Sequence, residues 1–363
     1  MQSVRREKEI RLLKLMLLNE EEFLNMNFLK NIKEKQSGEL VLFLIFAILF
    51  VAMSILSPTQ FLSAANIQNI MRQMPEFGLM ALSMMIVVLT GGMNLSITFA
   101  ASCSAIIAAL LMQSSFGLSH PVLATIAGVV IMVAFSLGTG VLNGWLVGYI
   151  GVVAMLVTLG TQMVFEGIGL IITKGNSIAG LPAPFLAIGS AMIGPIPVPM
   201  VIFVAMVIFS YYVIERSKWG REVYMIGDNE VATRFSGINT KKVILLVYVY
   251  SGLLYGLSGV LITSRYCSAK TDYGSSYLMQ ALTAVVMGGT DINGGRGTVA
   301  GTIISVLILQ VISNGFTIFR VDQNLVNIFS GCILILVLTI RFFTGRIIDS
   351  RKIKARQAVS NAK

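Results

Sequence analysis

Val87-Val88-Leu89-Thr90-Gly91-Gly92-Met93-Asn94-Leu95 interrupts one long apolar run, and Val285-Val286-Met287-Gly288-Gly289-Thr290-Asp291-Ile292-Asn293 interrupts another in the second half of the chain. Each break follows a short apolar segment and precedes another. Lipid cannot satisfy the backbone groups that glycine frees. Such breaks therefore persist only inside protein or along an aqueous cavity. Two of them at corresponding places in two halves point to the substrate region of a transporter. Tight turns between short helices are the plainer alternative for either break alone.

Composition supports the membrane setting. Of 363 residues, 55% are hydrophobic and 12% charged, against about 25% charged in a soluble domain. The expected fold is an all-α integral membrane protein with about ten transmembrane helices, short or broken at the two Gly-Gly motifs. A span needs roughly 20 apolar residues. The first is expected over 40–56, followed by a polar segment to Gln73 outside the membrane. Residues 75–112 then read as two short spans joined at Gly91–Ser96. Further spans are expected at 121–145 and 152–173, with Asn143-Gly144 and Gly148 loosening their junction. The sixth opens at Pro195, Pro197 and Pro199 and ends near Ile214. The others fall at about 243–264, 279–288, 299–317 and 325–343. Residues 174–196 and 267–277 read as external.

The net charge is +10, with eight basic residues in 1–39, six in 215–242 and seven in 341–363. The positive-inside rule places these three stretches in the cytoplasm, which requires an even number of spans. The expected organisation is a cytoplasmic segment 1–39, a membrane domain 40–343 carrying a cytoplasmic loop 215–242, and a basic tail 344–363. Met26 is an alternative start. Leu12, Leu13, Met16 and Leu17 can share one helical face on the inner leaflet. Nucleic acid is not an expected partner, because seven acids accompany the eight bases of the first segment. Both Gly-Gly breaks fall on the cytoplasmic side in this tally, which conflicts with a simple inverted repeat.

Cys103, Cys267 and Cys332 have no metal-ligand spacing, and His120 is the only histidine. Neither a metal site nor a Cys/His nucleophile is expected. No GxxxxGK[ST] stretch occurs, so no P-loop is present. Catalytic residues are not expected. Glu166 reads as the one acid within a long apolar run, a functional position by default, or a solvated or paired structural carboxylate.

The loop 215–242 carries the most specific signal. Asp228 or Asn229 can cap a short helix over 230–236, and Gly237 can end it. A short amphipathic helix held between two spans is suited to dock a cytoplasmic partner; a plain connecting helix is the alternative. Gly220-Arg221, Gly227-Asp228-Asn229, Ala232-Thr233 and Ser236-Gly237-Ile238 in this loop resemble the coupling loop of the permease subunits of ABC importers for simple sugars. That is the family of ribose, galactose, xylose and autoinducer-2 permeases. The resemblance continues through Tyr248-Val249-Tyr250-Ser251-Gly252, Leu257-Ser258-Gly259-Val260, Ala281–Thr290 and Gly294–Thr302, and through Val157–Thr161 and Gly180-Leu181-Pro182. It covers most of 40–340. The family usually has Gly-Gly-Ile-Asp-Leu-Ser-Val-Gly at the first break, where this chain has Gly91-Gly92-Met93-Asn94-Leu95-Ser96-Ile97-Thr98.

The resemblance implies a multi-pass protein of the bacterial cytoplasmic (inner) membrane, working with a second copy or a paralogue. Cytoplasmic ATPase subunits would hold ATP and Mg, with no cofactor on this chain. An extracytoplasmic solute-binding protein would deliver a monosaccharide or similar small polyol. Coupling to the ATPase would fall to Asp228, Asn229, Glu230, Ala232, Thr233, Arg234, Ser236 and Gly237. An uncharged sugar needs hydroxyl and amide groups and few strong sites. Gly91, Gly92, Asn94, Ser96, Thr161, Gln162, Gly288, Gly289 and Thr290 are the expected pathway residues, either lining or shaping it. Interhelical hydrogen bonds are the competing role for the polar ones. Nucleoside or autoinducer-2 uptake fits the same scaffold, branched-chain amino-acid permeases are more distant, and an ion-coupled secondary transporter would need more intramembrane charge.

Overall fold

The computed structural model describes residues 39–321 and isolated positions between 325 and 339. The segment 1–38, the tail 344–363 and most of the expected last span lie outside the described residues. The helices are α1 Glu39–Leu56, α2 Pro58–Phe61, α3 Ala64–Val88, α4 Ile97–Gln113, α5 Ser115–Ser119, α6 Pro121–Trp145, α7 Ala154–Thr173, α8 Ala183–Ser190, α9 Val198–Ser210, α10 Lys218–Phe235, α11 Thr240–Tyr266, α12 Ser275–Met287 and α13 Val299–Ile318. Both α6 and α9 continue into a π-helical turn, at Leu146–Ile150 and Tyr211–Arg216. Strand content is confined to two-residue pairs: β1 Ile178–Ala179 with β4 Ser268–Ala269, and β2 Met192–Ile193 with β3 Ile196–Pro197.

Among the described residues, six helices are long and apolar enough to cross a membrane: α1, α6 with its π turn, α7, α9 with its π turn, α11 and α13. Two more, α4 and α12, are apolar but shorter. The chain is therefore an all-α membrane protein. The polar stretch before Gln73, expected outside the membrane, includes the start of a 25-residue helix. Ser63 caps it, its hydroxyl accepting from Asn66 N at 3.2 Å, and Asn66 and Gln73 of this first half pair with Asn314 and Gln310 on α13. The region 174–197, read only as an external loop, builds β1, α8 and the β2–β3 hairpin.

The core is organised around α3. Every residue from Met74 to Leu89 is buried, as befits a helix apolar on all sides. It packs against α9, α11, α12 and α13. Contacts along α3 run antiparallel to both α11 and α13. Asn66, near its start, pairs with Asn314 near the end of α13, while Leu89, just past its end, meets Gly295 just before α13. Small residues let α6 and α11 approach closely. A side chain at Gly140, Gly144 or Gly148 would strike Tyr248, Leu245 or Lys241 in turn. The Tyr255 hydroxyl completes this seam by donating to Ser136 O at 2.9 Å.

Candidate functional site: the glycine crossing and the coupling segment

Three stretches of backbone meet at one end of the bundle. After α3 the chain turns at Thr90–Gly92, and Leu89 O accepts from Gly295 N at 2.9 Å. After α12 it turns at Gly288-Gly289, then again where Asn293 N and Gly294 N donate to Asp291. The third stretch is α10. A Cβ on Gly227 would lie 1.9 Å from Leu89 O and 2.3 Å from Gly295 N. Only glycine fits there. Gly294 has φ +92° and a Cβ site 2.6 Å from Gly91 N, so both its conformation and its surroundings exclude a side chain. Gly288 backs onto Gly301 and Thr302 in the same way. Thus the two breaks pack against each other, on the same end as the charged loop.

The loop carries more structure than the short helix expected of it. Its first part, Lys218–Asp228, starts at Ser217, whose hydroxyl accepts from Gly220 N at 2.9 Å. Asn229 then leaves helical geometry (φ −162°, ψ 101°). Its Oδ1 accepts from Ala232 N at 2.9 Å and so caps the second part, as the sequence suggests; Asp228 does not take this role. Gly237, at φ +85°, ends it. The Thr233 hydroxyl bridges the kink, donating to Met225 O and Asn229 O at 2.8 Å each, and Thr233 is buried. Asp228, Glu230, Ala232, Arg234, Ser236 and Gly237 are exposed. So are two apolar residues one turn apart, Val231 and Phe235, the latter 83% exposed.

Behind this exposed face, two side chains tie the loop to the second break. The Tyr224 hydroxyl donates to Gly297 O at 3.0 Å. Glu215 Oε1 accepts from Val299 N at 2.9 Å, placing a carboxylate at the N-terminus of α13, where the helix dipole favours it. Burial, and then the Glu215 charge, raise the Tyr224 phenol well above its usual range. Sequence reading missed both residues, since nothing local marks a partner 73 or 84 positions away.

The expected pathway residues separate into two groups. Asn94, Ser96 and Thr290 are completely buried. Asn94 Nδ2 donates to Ser251 Oγ at 3.2 Å, its Oδ1 accepts from Ser96 Oγ at 2.8 Å, and Asn143 Nδ2 donates to Ser96 Oγ at 3.0 Å. This network joins the first break to α6 and α11, and the Ser83 and Ser251 hydroxyls extend it to α3 at 2.8 Å. Gly91 and Gly92 are part of the crossing, and Gly289 (φ +100°) turns the chain out of α12. Thr161 and Gln162 are half-buried on α7. Thr161 bonds within its own helix at 3.3 Å, while Gln162 Oε1 is buried without a hydrogen-bond partner.

Glu166 is not the sole acid of the apolar interior. Glu76 on α3 is fully buried. Arg265 at the end of α11 grips it through Nε–Oε1 at 2.5 Å and Nη2–Oε2 at 2.9 Å, and Tyr277 on α12 donates to Oε2 at 3.3 Å. The bidentate geometry explains how a carboxylate is accommodated there. Cys103 is buried, whereas Cys267 is exposed. Among the described residues no cluster of three or more His, Cys, Asp or Glu is placed to hold a metal ion.

The family described as "Branched-chain amino acid transport system / permease component" matches residues 66–338. The ribose import permease protein RbsC of Bacillus subtilis is 36% identical over 292 residues, covering 80% of this chain and 88% of its own. The D-allose transport system permease protein AlsC of Escherichia coli is 31% identical over 81% of this chain and 88% of its own. The autoinducer 2 import system permease protein LsrD of Yersinia enterocolitica is 30% identical over 72% of this chain and 78% of its own. No solved structure matches.

Proposed function

The chain belongs to the permease family of ABC importers, and from that membership we propose that it is the membrane subunit importing a monosaccharide or similar small polyol. It is a multi-pass protein of the bacterial inner membrane. Ten spans, both termini and the loop 215–242 in the cytoplasm, agree with the charge distribution. This puts the glycine crossing at the cytoplasmic side. ATP and Mg belong to partner ATPase subunits. A solute-binding protein acts on the opposite face, and a second permease copy or paralogue completes the path.

The observation that carries this reading is the two-sided loop. Outward, the capped segment Asn229–Gly237 offers Val231 and Phe235 among charged residues, as a helix that docks on a partner does. Inward, Gly227 wedges between the two breaks, and Tyr224 and Glu215 hold the entrance to α13. A push from ATPase subunits that close on ATP would reach both breaks at once. Asn94, Ser96 and Thr290 shape the path from its buried side. Asp228, Glu230, Arg234 and Ser236 supply the polar rim of the docking face.

Co-expression with its ATPase and binding protein, followed by reconstitution in vesicles, tests the proposal. ATP-dependent uptake of ribose or allose from the binding-protein side is the expected result. The likeness to LsrD makes autoinducer-2 the first alternative solute in the same assay. Uptake driven by an ion gradient without ATP would contradict the reading.

A further inference from the structure

We infer that Glu76 is a latch with two alternative guanidinium partners, Arg265 on α11 and Arg72 one turn earlier on its own helix, and that it passes from one to the other as the outer half of α3 parts from α11. α3 is built for such a parting. None of residues 64–73 is buried, whereas every residue from Met74 to Leu89 is. Pro75 stands at the boundary, inside the helix. It offers no N–H to the carbonyl of Met71, and its ring crowds that carbonyl, so the helix is weakest there. The amides that join the outer half to α13 can re-pair with water when the helices separate.

Glu76 is different. It adjoins Pro75 and is fully buried, and a buried carboxylate stripped of its cation is strongly destabilising. With Arg265 as its sole cation, the pair would weld α3 to α11. Arg72 supplies the alternative. It stands four residues before Glu76 on the same face. Side chains lean toward the N-terminus of their helix, so the Glu76 carboxylate lies over the turn that begins at Arg72.

Arg72 is half-buried, and no acid among the described residues pairs with it. Its Nε is buried without a hydrogen-bond partner, which is rare inside a protein. Its Nη2 donates to Met192 Sδ at 3.6 Å, a weak acceptor. Met192 belongs to the segment that leans on the end of α11, where Gly189 N donates to Ser264 Oγ at 2.7 Å, next to Arg265.

Each group has a place to go in the exchange. Tyr277, on α12, donates to the carboxylate independently of α11. Arg265 keeps the ring of Tyr266, whose centre lies 4.3 Å from its guanidinium carbon, and it is 20% exposed to water. Arg72 gives up a sulfur contact for a charge-assisted hydrogen bond. The exchange thus moves α3 relative to α11 without leaving the buried carboxylate alone.

Melting of the full-length permease in detergent tests the exchange without its partners. Arg72→Gln alone should leave the melting temperature unchanged, because Arg72 holds no carboxylate in this state. In an Arg265→Leu background, where Glu76 must turn to Arg72, the same Arg72→Gln substitution should lower it by several degrees. An Arg72→Gln effect that is equal in the two backgrounds overturns the latch. So does Arg265→Leu protein that does not fold at all, since Arg72 then fails to take Glu76 over. The role in transport, which rests on the importer reading, is measured in vesicles with the ATPase and binding protein. Arg72→Gln should slow ATP-dependent uptake several-fold with its melting temperature intact, and Arg72→Lys should restore most of it. Undiminished uptake by Arg72→Gln would overturn the exchange as a step of transport. Wild-type vesicles without ATP-dependent uptake would overturn the importer reading and leave the melting result standing.

Discussion

The two ends of α3 are held by different physics. At the glycine end, backbone meets backbone: Leu89 O with Gly295 N, and Gly227 between them. Toward the far end, long polar side chains reach across helix gaps. Asn66 and Asn314 exchange two hydrogen bonds of 3.0 and 2.8 Å and Gln310 donates to Gln73 at 3.2 Å, while Arg265 holds Glu76 midway along α3. A glycine contact has no slack, so displacement of one strand moves the others. Amide pairs are forgiving, because each group can re-pair with water when helices part. The glycine end is thus built to transmit motion, and the far end to come apart and re-form.

Substitutions should separate these two kinds of contact. Gly227→Val is expected to have the largest effect, abolishing uptake and lowering the yield of folded protein, because its Cβ would overlap two backbone atoms. Gly237→Val, on the docking segment itself, should slow uptake while leaving the fold nearly intact. Nothing lies within 4 Å of its Cβ site, so only the strain of its positive φ is incurred, on the order of 1–2 kcal/mol. Solubility after heating and vesicle uptake read both.

Glu76→Ala comes next. It strands Arg265, and the loss should be about 3 kcal/mol, the low end for a broken buried pair, since Arg265 keeps 20% exposure. The double variant Glu76→Met, Arg265→Leu should recover most of the melting temperature. Failure to recover would show that the pair does more than satisfy itself. Asn229→Ala should cost about 1 kcal/mol of local helix stability and reduce uptake more than it reduces the melting temperature. Gln310→Leu at the far end should be mildest, about 0.6 kcal/mol for one interhelical bond, measured by the same melting assay.

What was legible in the sequence follows the same division. The two breaks, the capped helix over 230–236 and its end at Gly237 depend on residues next to one another, and glycine advertises both turns and close approach. That the breaks would touch was not legible. Glu76 was missed because it stands near a polar stretch, and its partner is 189 positions away. Asn94 was marked as a departure at the first break, yet its buried network depends on Ser251 and Asn143, which no local pattern connects to it. Tyr224 and Glu215 sit in a plainly charged loop, where an inward-facing role leaves no trace in composition.

The central claim is that the exposed face of Asn229–Gly237 docks the ATPase that drives the glycine crossing. The most direct measurement is co-purification of the ATPase with the tagged permease in mild detergent, comparing wild type with Phe235→Asp. Phe235 touches little of its own chain, so membrane insertion and melting temperature should be unchanged. The account predicts stoichiometric recovery of ATPase with the wild type and its loss with the variant. Full recovery with Phe235→Asp, accompanied by undiminished uptake, would contradict it.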